Sequence, residues 1–412
     1  MRADMTDTRS GDSPLIPVTA RSLRLILVLM IAMIVFTAVE IGAPELLGRQ
    51  PGYVDFHIFH LVGELFWRGD LAVAYDARAL MPIQWERAGT EIFMPWTYPP
   101  IFNLVSAGLA LMPLWLAYLV FASLGLGLWL WVIRRLAGPQ FAPVLMMVLP
   151  SLIVTLRYGQ NGLYSTTLVG LFCLLCLRGS AWRGVPLGLM AYKPHLGVGL
   201  VLVALLRLDW RAIAVAAAVT VALIGAATLA FGPDIWAAFL ASARESGEFL
   251  RLGFYPLFRM TSVYALIRAF DMAPGLAMGI HLTLALLALA VVVHASLAKW
   301  APHRVLALAV LSCVAVSPYN YDYDLCILSV ALALAAPDLA RLGSAAERGL
   351  LFAASWLACG YGLGKVLAFG PVADDVPSLG AIGVIAVCAI TWRILRRAER
   401  GEQVPALHPQ TA

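Results

Sequence analysis

The run Leu23-Arg24-Leu25-Ile26-Leu27-Val28-Leu29-Met30-Ile31-Ala32-Met33-Ile34-Val35-Phe36-Thr37-Ala38-Val39 carries no charge after Arg24 and is closed by Glu40. At about 1.5 Å per residue, a helix of this length covers most of a hydrocarbon core about 30 Å thick. Comparable apolar runs recur as far as Trp392. Of the 412 residues, 61% are apolar and 13% charged, against roughly 45–50% and 25% in soluble domains. A soluble fold cannot hide that much apolar surface. The chain is therefore read as an all-α polytopic membrane protein with about 12 transmembrane helices.

The remaining composition narrows the class. Although the formal charge is +5, the basic residues sit in short clusters between apolar runs: Arg21/Arg24, Arg134/Arg135, Arg178/Arg183, Arg207/Arg211, Lys299/Arg304, Arg341/Arg348 and Arg393/Arg396/Arg397. Such clusters set topology rather than bind nucleic acid, and the positive-inside rule assigns them to the cytoplasm. The first run lacks a small-residue cleavage pattern, so it is an uncleaved helix rather than a secretory signal. Cys173 and Cys176 are spaced C-x-x-C, but inside an apolar run, where packing explains them. The expected organisation is a disordered cytoplasmic N-terminus over 1–20, a transmembrane domain over 21–398 and a cytoplasmic tail over 399–412. A first extracytoplasmic loop occupies 45–98.

With the basic clusters inside, the outer turns collect most of the unusual polar residues: the 53–98 loop, Arg157 to Gly162, Tyr192 to His195, the 232–273 segment, Ser317 to Asp324 and Asp374/Asp375. Charge bias and motif position are independent signals, and they agree on one polar site at the outer face. Two segments resist simple spanning. Gly184 to Leu206 reads as two short arms around Lys193-Pro194, and Pro99 to Arg135 is too long for one crossing. Interrupted segments are tolerated where they line a cavity.

Within the first loop, positions 58, 59, 61, 62, 65 and 66 repeat at three and four, predicting an amphipathic helix on the membrane surface. Asp55 stands at its start, where a carboxylate serves either as a cap or as a general base. His57 and His60 follow within a turn as partners for phosphate or sugar hydroxyls. Their spacing from Asp55 suits a metal site, but no further ligand set has the right spacing, so no metal or other cofactor is expected, with a divalent ion left open. Tyr98-Pro99-Pro100 sets the chain direction into the next helix. Arg157, Lys193, Arg251 and Arg259 are cations at outer turns, against the charge rule, and Arg and Lys are the usual partners of phosphate. Asn161 and His195 accompany them. Tyr319 and Asp322 belong to a Tyr-Asp run at membrane depth, where an ionisable group is a functional hypothesis by default.

The ordered set Asp55-Phe56 with its aromatic/His helix, Gly69 with Tyr75-Asp76, Tyr98-Pro99-Pro100, Gly159-Gln160-Asn161-Gly162 and Lys193-Pro194 resembles glycosyltransferase family 87. That group includes membrane mannosyltransferases dependent on polyprenyl-phosphate sugars. Ser317-Pro318 closes a match covering about residues 20 to 395. The resemblance implies a GT-C fold with an outward-facing cavity beneath the first loop. It also implies a polyprenyl-phosphate sugar donor, a lipid or glycan acceptor, and transfer of a hexose, expected to be mannose, with inversion. Asp55 matches the family's catalytic acid. His57, Arg157, Gln160 and Lys193 become candidates for donor phosphate and sugar, with His60, Tyr98, Asn161, His195, Tyr319 and Asp322 as further binding candidates. The setting implied is the inner (plasma) membrane, with chemistry on the extracytoplasmic side. A lipid-linked-sugar flippase or transporter, and an O-antigen ligase or polymerase, are the competing readings. A transporter spreads polar groups towards both faces, and a ligase carries its main loop later in the chain.

A cysteine placed at Gln160 is expected to react with an impermeant maleimide from outside, and one at Arg134 only after permeabilisation. Labelling of Gln160→Cys that required permeabilisation would collapse the single-face argument.

Overall fold

The computed structural model describes residues 14–48, 53–92, 94–370 and 377–401. The outermost parts of the expected disordered ends, 1–13 and 402–412, lie outside the described residues, as do Asp374 and Asp375. The first apolar run forms α1 (Ala20–Gly42), begun by Thr19, whose hydroxyl accepts from the Ser22 N–H at 3.1 Å. The first loop holds α2 (Phe56–Arg68) and α3 (Ala77–Ala88). The long 99–135 segment divides at Pro113 into a short α4 (Pro100–Leu109) and a long α5 (Leu114–Ala137).

Next come α6 (Phe141–Tyr158) and α7 (Gly162–Leu177), then two short arms, α8 (Gly184–Leu189) and α9 (Val198–Leu206), on either side of Lys193-Pro194. The chain continues through α10 (Trp210–Phe231), α11 (Asp234–Leu252), α12 (Val263–Arg268) and α13 (Pro274–Leu297). It ends with α14 (Pro302–Val316), α15 (Leu328–Leu342), α16 (Ala345–Phe369) and α17 (Gly380–Glu399). No strand forms among the described residues; Met260 and Tyr321 make one isolated antiparallel bridge.

Among the described residues six stretches are long and apolar enough to cross a membrane, one of them, Leu114–Tyr158, being α5 and α6 together. The expected count of about 12 is not reached by length. Four further apolar helices run only 10–17 residues, too short at about 1.5 Å per residue to cross alone. The helices differ sharply in burial. Across the most apolar part of the stretch Asp324–Leu342, which contains α15, 89% of the residues are buried, whereas in α10 only 11% are and the rest are left for lipid. α15 packs against α5, α6, α14 and α17.

One end of the bundle is tied by ion pairs. Arg304 near the start of α14 meets Asp338 near the end of α15 at 2.6 Å and Glu399 at the end of α17 at 2.9 Å. Arg397 of α17 meets Glu347 of α16 at 2.7 Å. The end of α14 and the start of α15 lie about 22 Å from these pairs at 1.5 Å per residue, and there the Ser317 to Asp324 run is found.

α2 forms where the apolar period predicts it, but it is embedded in protein rather than laid on a surface: Phe56, Phe59, Val62 and His60 on different faces are all buried. It rests on α4, with Trp67 Nε1 donating to the Ala107 carbonyl at 2.9 Å. Gly63 makes the close approach, since a Cβ there would overlap the Ser106 carbonyl. Gly63→Ala is expected to destabilise the folded protein by about 1–3 kcal/mol through overpacking. Gly108→Ala, where a Cβ meets nothing within 4 Å, should be neutral or stabilise the helix. Unfolding midpoints of the two variants in detergent check the contrast, and equal midpoints would remove Gly63 as the packing contact.

Candidate active site

The geometry begins at Asp55. It occupies the N-cap position of α2, yet its backbone is helical (φ −55°, ψ −27°) and its side chain accepts no capping hydrogen bond. The carboxylate turns instead to Gln160, whose Nε2 donates to Oδ2 at 2.7 Å. Gln160 is delivered by the turn between α6 and α7, where Gly159 adopts φ +66° and packs directly on Phe56. A side chain at 159 would be strained by that φ and would collide with Phe56, so the glycine is what lets the turn close onto Asp55.

Two ion pairs, one buried and one part-buried, face the same region. Lys193, at the break between α8 and α9, donates from Nζ to Asp324 Oδ1 at 2.7 Å, with the rings of Tyr98 and Tyr323 at 5.7 and 5.3 Å. Arg259 donates to both oxygens of Asp322, at 3.1 and 3.3 Å, and stacks over Tyr158 at 4.4 Å. Burial works against the charge on Arg259, but Asp322 and Asp55 more than offset it and raise its pKa. Asp55 is thus within electrostatic reach of that pair. Burial in turn pushes the Asp322 carboxyl up, with Arg259 opposing.

The Tyr-Asp run is held by its backbone. Thr261 N–H donates to the Asn320 carbonyl at 2.7 Å and Asp322 N–H to the Arg259 carbonyl at 3.1 Å, so the bridge that positions Arg259 also positions its partner. From α6, Ser151 and Thr155 hydroxyls donate to the carbonyls of Asp322 and Tyr323 at 2.7 and 3.1 Å. Tyr321 and Tyr323 stack with centroids 5.2 Å apart. Several polar atoms here are buried without a hydrogen-bond partner: Gln160 Oε1, both amide atoms of Asn161, and Asn320 Oδ1. Unsatisfied buried groups in such number are costly unless something completes them.

The other candidates are placed as follows. His195 lies beside the Lys193–Asp324 pair. His57 stacks on Tyr53 with centroids 4.5 Å apart, and burial lowers its pKa to about 4, so it is neutral at physiological pH. His60 is enclosed between Glu64 and the Met112 carbonyl, each at 2.9 Å. With Arg87 also 2.6 Å from Glu64, His60 and Arg87 hold that carboxyl at about 2 against the effect of burial. Arg157 pairs with Glu40 of α1 at 2.8 Å, and Arg251 with Glu248. Tyr319 donates to the Ser246 carbonyl at 3.0 Å and packs on Tyr255, among α11 and α12.

Arg259 and Asp324 are the members that motif reading weighted least. Their signal was arithmetic: two buried-side cations, Lys193 and Arg259, against two alternate aspartates in one run. Among the described residues no three His, Cys, Asp or Glu side chains form a metal-binding group. Two cavities of about 220 Å³ lie elsewhere, one beside Arg183 and Asp209 and one beside Trp392.

The family model for glycosyltransferase family 87 matches residues 96–318, more than half of the chain. No curated protein and no solved structure matches the sequence. The matched range carries Tyr98, Gln160, Lys193 and Arg259, and stops just short of Asp322 and Asp324.

Removing one member of a buried pair strands the other. Asp324→Ala is expected to cost about 3–5 kcal/mol, with Lys193→Met/Asp324→Leu recovering most of it. Denaturant titration of the purified protein checks this. A loss below about 1 kcal/mol, as for an exposed pair, would mean that Lys193 finds another partner.

Proposed function

The chain belongs to glycosyltransferase family 87, and from that premise we propose that it moves a hexose, mannose being the first to test, from a polyprenyl-phosphate donor to a lipid-linked or glycan acceptor. The site faces the extracytoplasmic side of the inner membrane. It is a membrane glycosyltransferase by family and by its apolar helices; donor, sugar, acceptor and face are the reading put forward here.

The observation that carries the reading is the Asp55 carboxylate, which caps no helix N–H, is oriented by Gln160 and lies within electrostatic reach of Arg259. In an inverting transfer, the acceptor oxygen attacks the anomeric carbon as the bond to the phosphate oxygen breaks. The electron pair leaves with the polyprenyl phosphate, and the acceptor proton passes to Asp55. A carboxylate is a far weaker base than an alkoxide, so Asp55 takes the proton only as the new bond forms. Positive charge near the leaving phosphate lowers the barrier further. Arg259 commits two of its five N–H groups to Asp322 and Lys193 one of its three to Asp324, so both retain donors for phosphate oxygens. Gln160 Oε1 and both amide atoms of Asn161, buried without a partner, suit the hydroxyls of a sugar.

Asp55→Asn keeps the shape of the side chain and removes its basicity. Transfer from a polyprenyl-phosphate hexose is expected to fall at least about a hundredfold, with folding and donor binding retained. Near-normal turnover in the folded variant would take Asp55 out of the mechanism. Lys193→Ala should weaken donor binding more than acceptor binding.

A further inference from the structure

At the end of the bundle away from the site, a cavity of about 220 Å³ is lined by Trp392, Arg393, Arg396, Arg397 and Arg400. All five come from the last turns of α17 and the residue that follows it. The Glu347 carboxylate pairs with Arg393 at 3.1 Å and with Arg397 at 2.7 Å. Arg396 stacks on the Trp392 ring at 5.3 Å. Three guanidinium groups, those of Arg393, Arg396 and Arg397, stand against the Glu347 carboxylate and leave a local excess of positive charge, larger than the half negative charge or so of a helix C-terminus.

Two N–H groups among these lining residues are buried and have no acceptor: Trp392 Nε1 and Arg397 Nε. Buried donors are almost always satisfied, and planar guanidinium groups match phosphate oxygens in a bidentate way. The position supports the same chemistry. From Gly380 to Ile390 the helix is apolar, and Trp392 with the arginines begins where it stops being so. Trp favours the level of lipid headgroups, with Arg just beyond it.

We propose that this pocket binds a phosphate-bearing anion, presented at headgroup level by an anionic phospholipid or arriving as a free phosphate. The proposal is independent of the transferase reading, since no residue of the candidate active site lines the pocket.

The test uses the full chain purified in detergent, with lipid retention read by native mass spectrometry. Phosphatidylglycerol is compared with phosphatidylcholine. Each arginine near an anionic headgroup is worth roughly a fivefold preference, so Arg393→Gln/Arg396→Gln should lower phosphatidylglycerol retention by about 25-fold. The control Arg134→Gln/Arg135→Gln, at the end of α5, should leave it unchanged. Arg393 and Arg396 are exposed, and Arg397 keeps its pair with Glu347 in the variant. Should the double variant not fold, Arg396→Gln alone is expected to show the single fivefold loss. Added inorganic phosphate that displaces the lipid at millimolar concentration would assign the pocket to free phosphate; failure to displace it assigns the lipid. Equal retention of both lipids together with no protection by phosphate against thermal unfolding overturns the proposal. Retention that falls equally in the control overturns it as well.

Discussion

An ammonium or guanidinium group removed from water must meet a counter-charge, because the desolvation cost otherwise exceeds anything packing returns. Lys193 is buried and Arg259 is partly so, and both are met by one three-residue stretch, Asp322-Tyr323-Asp324. The alternate spacing points the two carboxylates in different directions. One meets the break between α8 and α9, and the other meets the segment before α12. Nearly everything around the site fixes that stretch: hydroxyls of α6 on its carbonyls, the Met260–Tyr321 bridge on its flank, and stacked tyrosines across its face.

The membrane class of the chain was legible from the first apolar run, because bilayer thickness translates directly into run length. The α2 helix and the two arms around Lys193-Pro194 were legible as well, from apolar period and from proline. Burial of α2 was not. A helix with one strong apolar stripe looks the same whether its polar side meets water or, as in α2, protein: Arg87 against Glu64 and the Met112 carbonyl against His60. Helix count was also beyond composition, since several apolar segments are shorter than a bilayer and their length alone does not say how they are seated.

At the site, position along the chain brought Asp55, Gln160 and Lys193 to one face, but pairing could not be read. Arg157 and Lys193 look alike in sequence as outer-turn cations, yet one is taken up by Glu40 on a neighbouring helix and the other by Asp324. His57 and His60 sit three residues apart and differ as much. One is left neutral by burial, while the other is locked between a carboxylate and a carbonyl. Partners distant in sequence decide such differences, and no local spacing encodes them.

The central stretch running from Asp324 through α15 carries a carboxylate near each extremity: Asp324 held by Lys193, Asp338 held by Arg304. Mechanically it is an axle clamped at both bearings. Sliding it by one helical turn would break both clamps at once, so a piston stroke along the membrane normal is closed to it. Changes in bilayer thickness or lateral pressure must then be absorbed by the lipid-facing rim, α10 and α13. The candidate site, fastened to that axle through Lys193 and Asp324, shares its constraint.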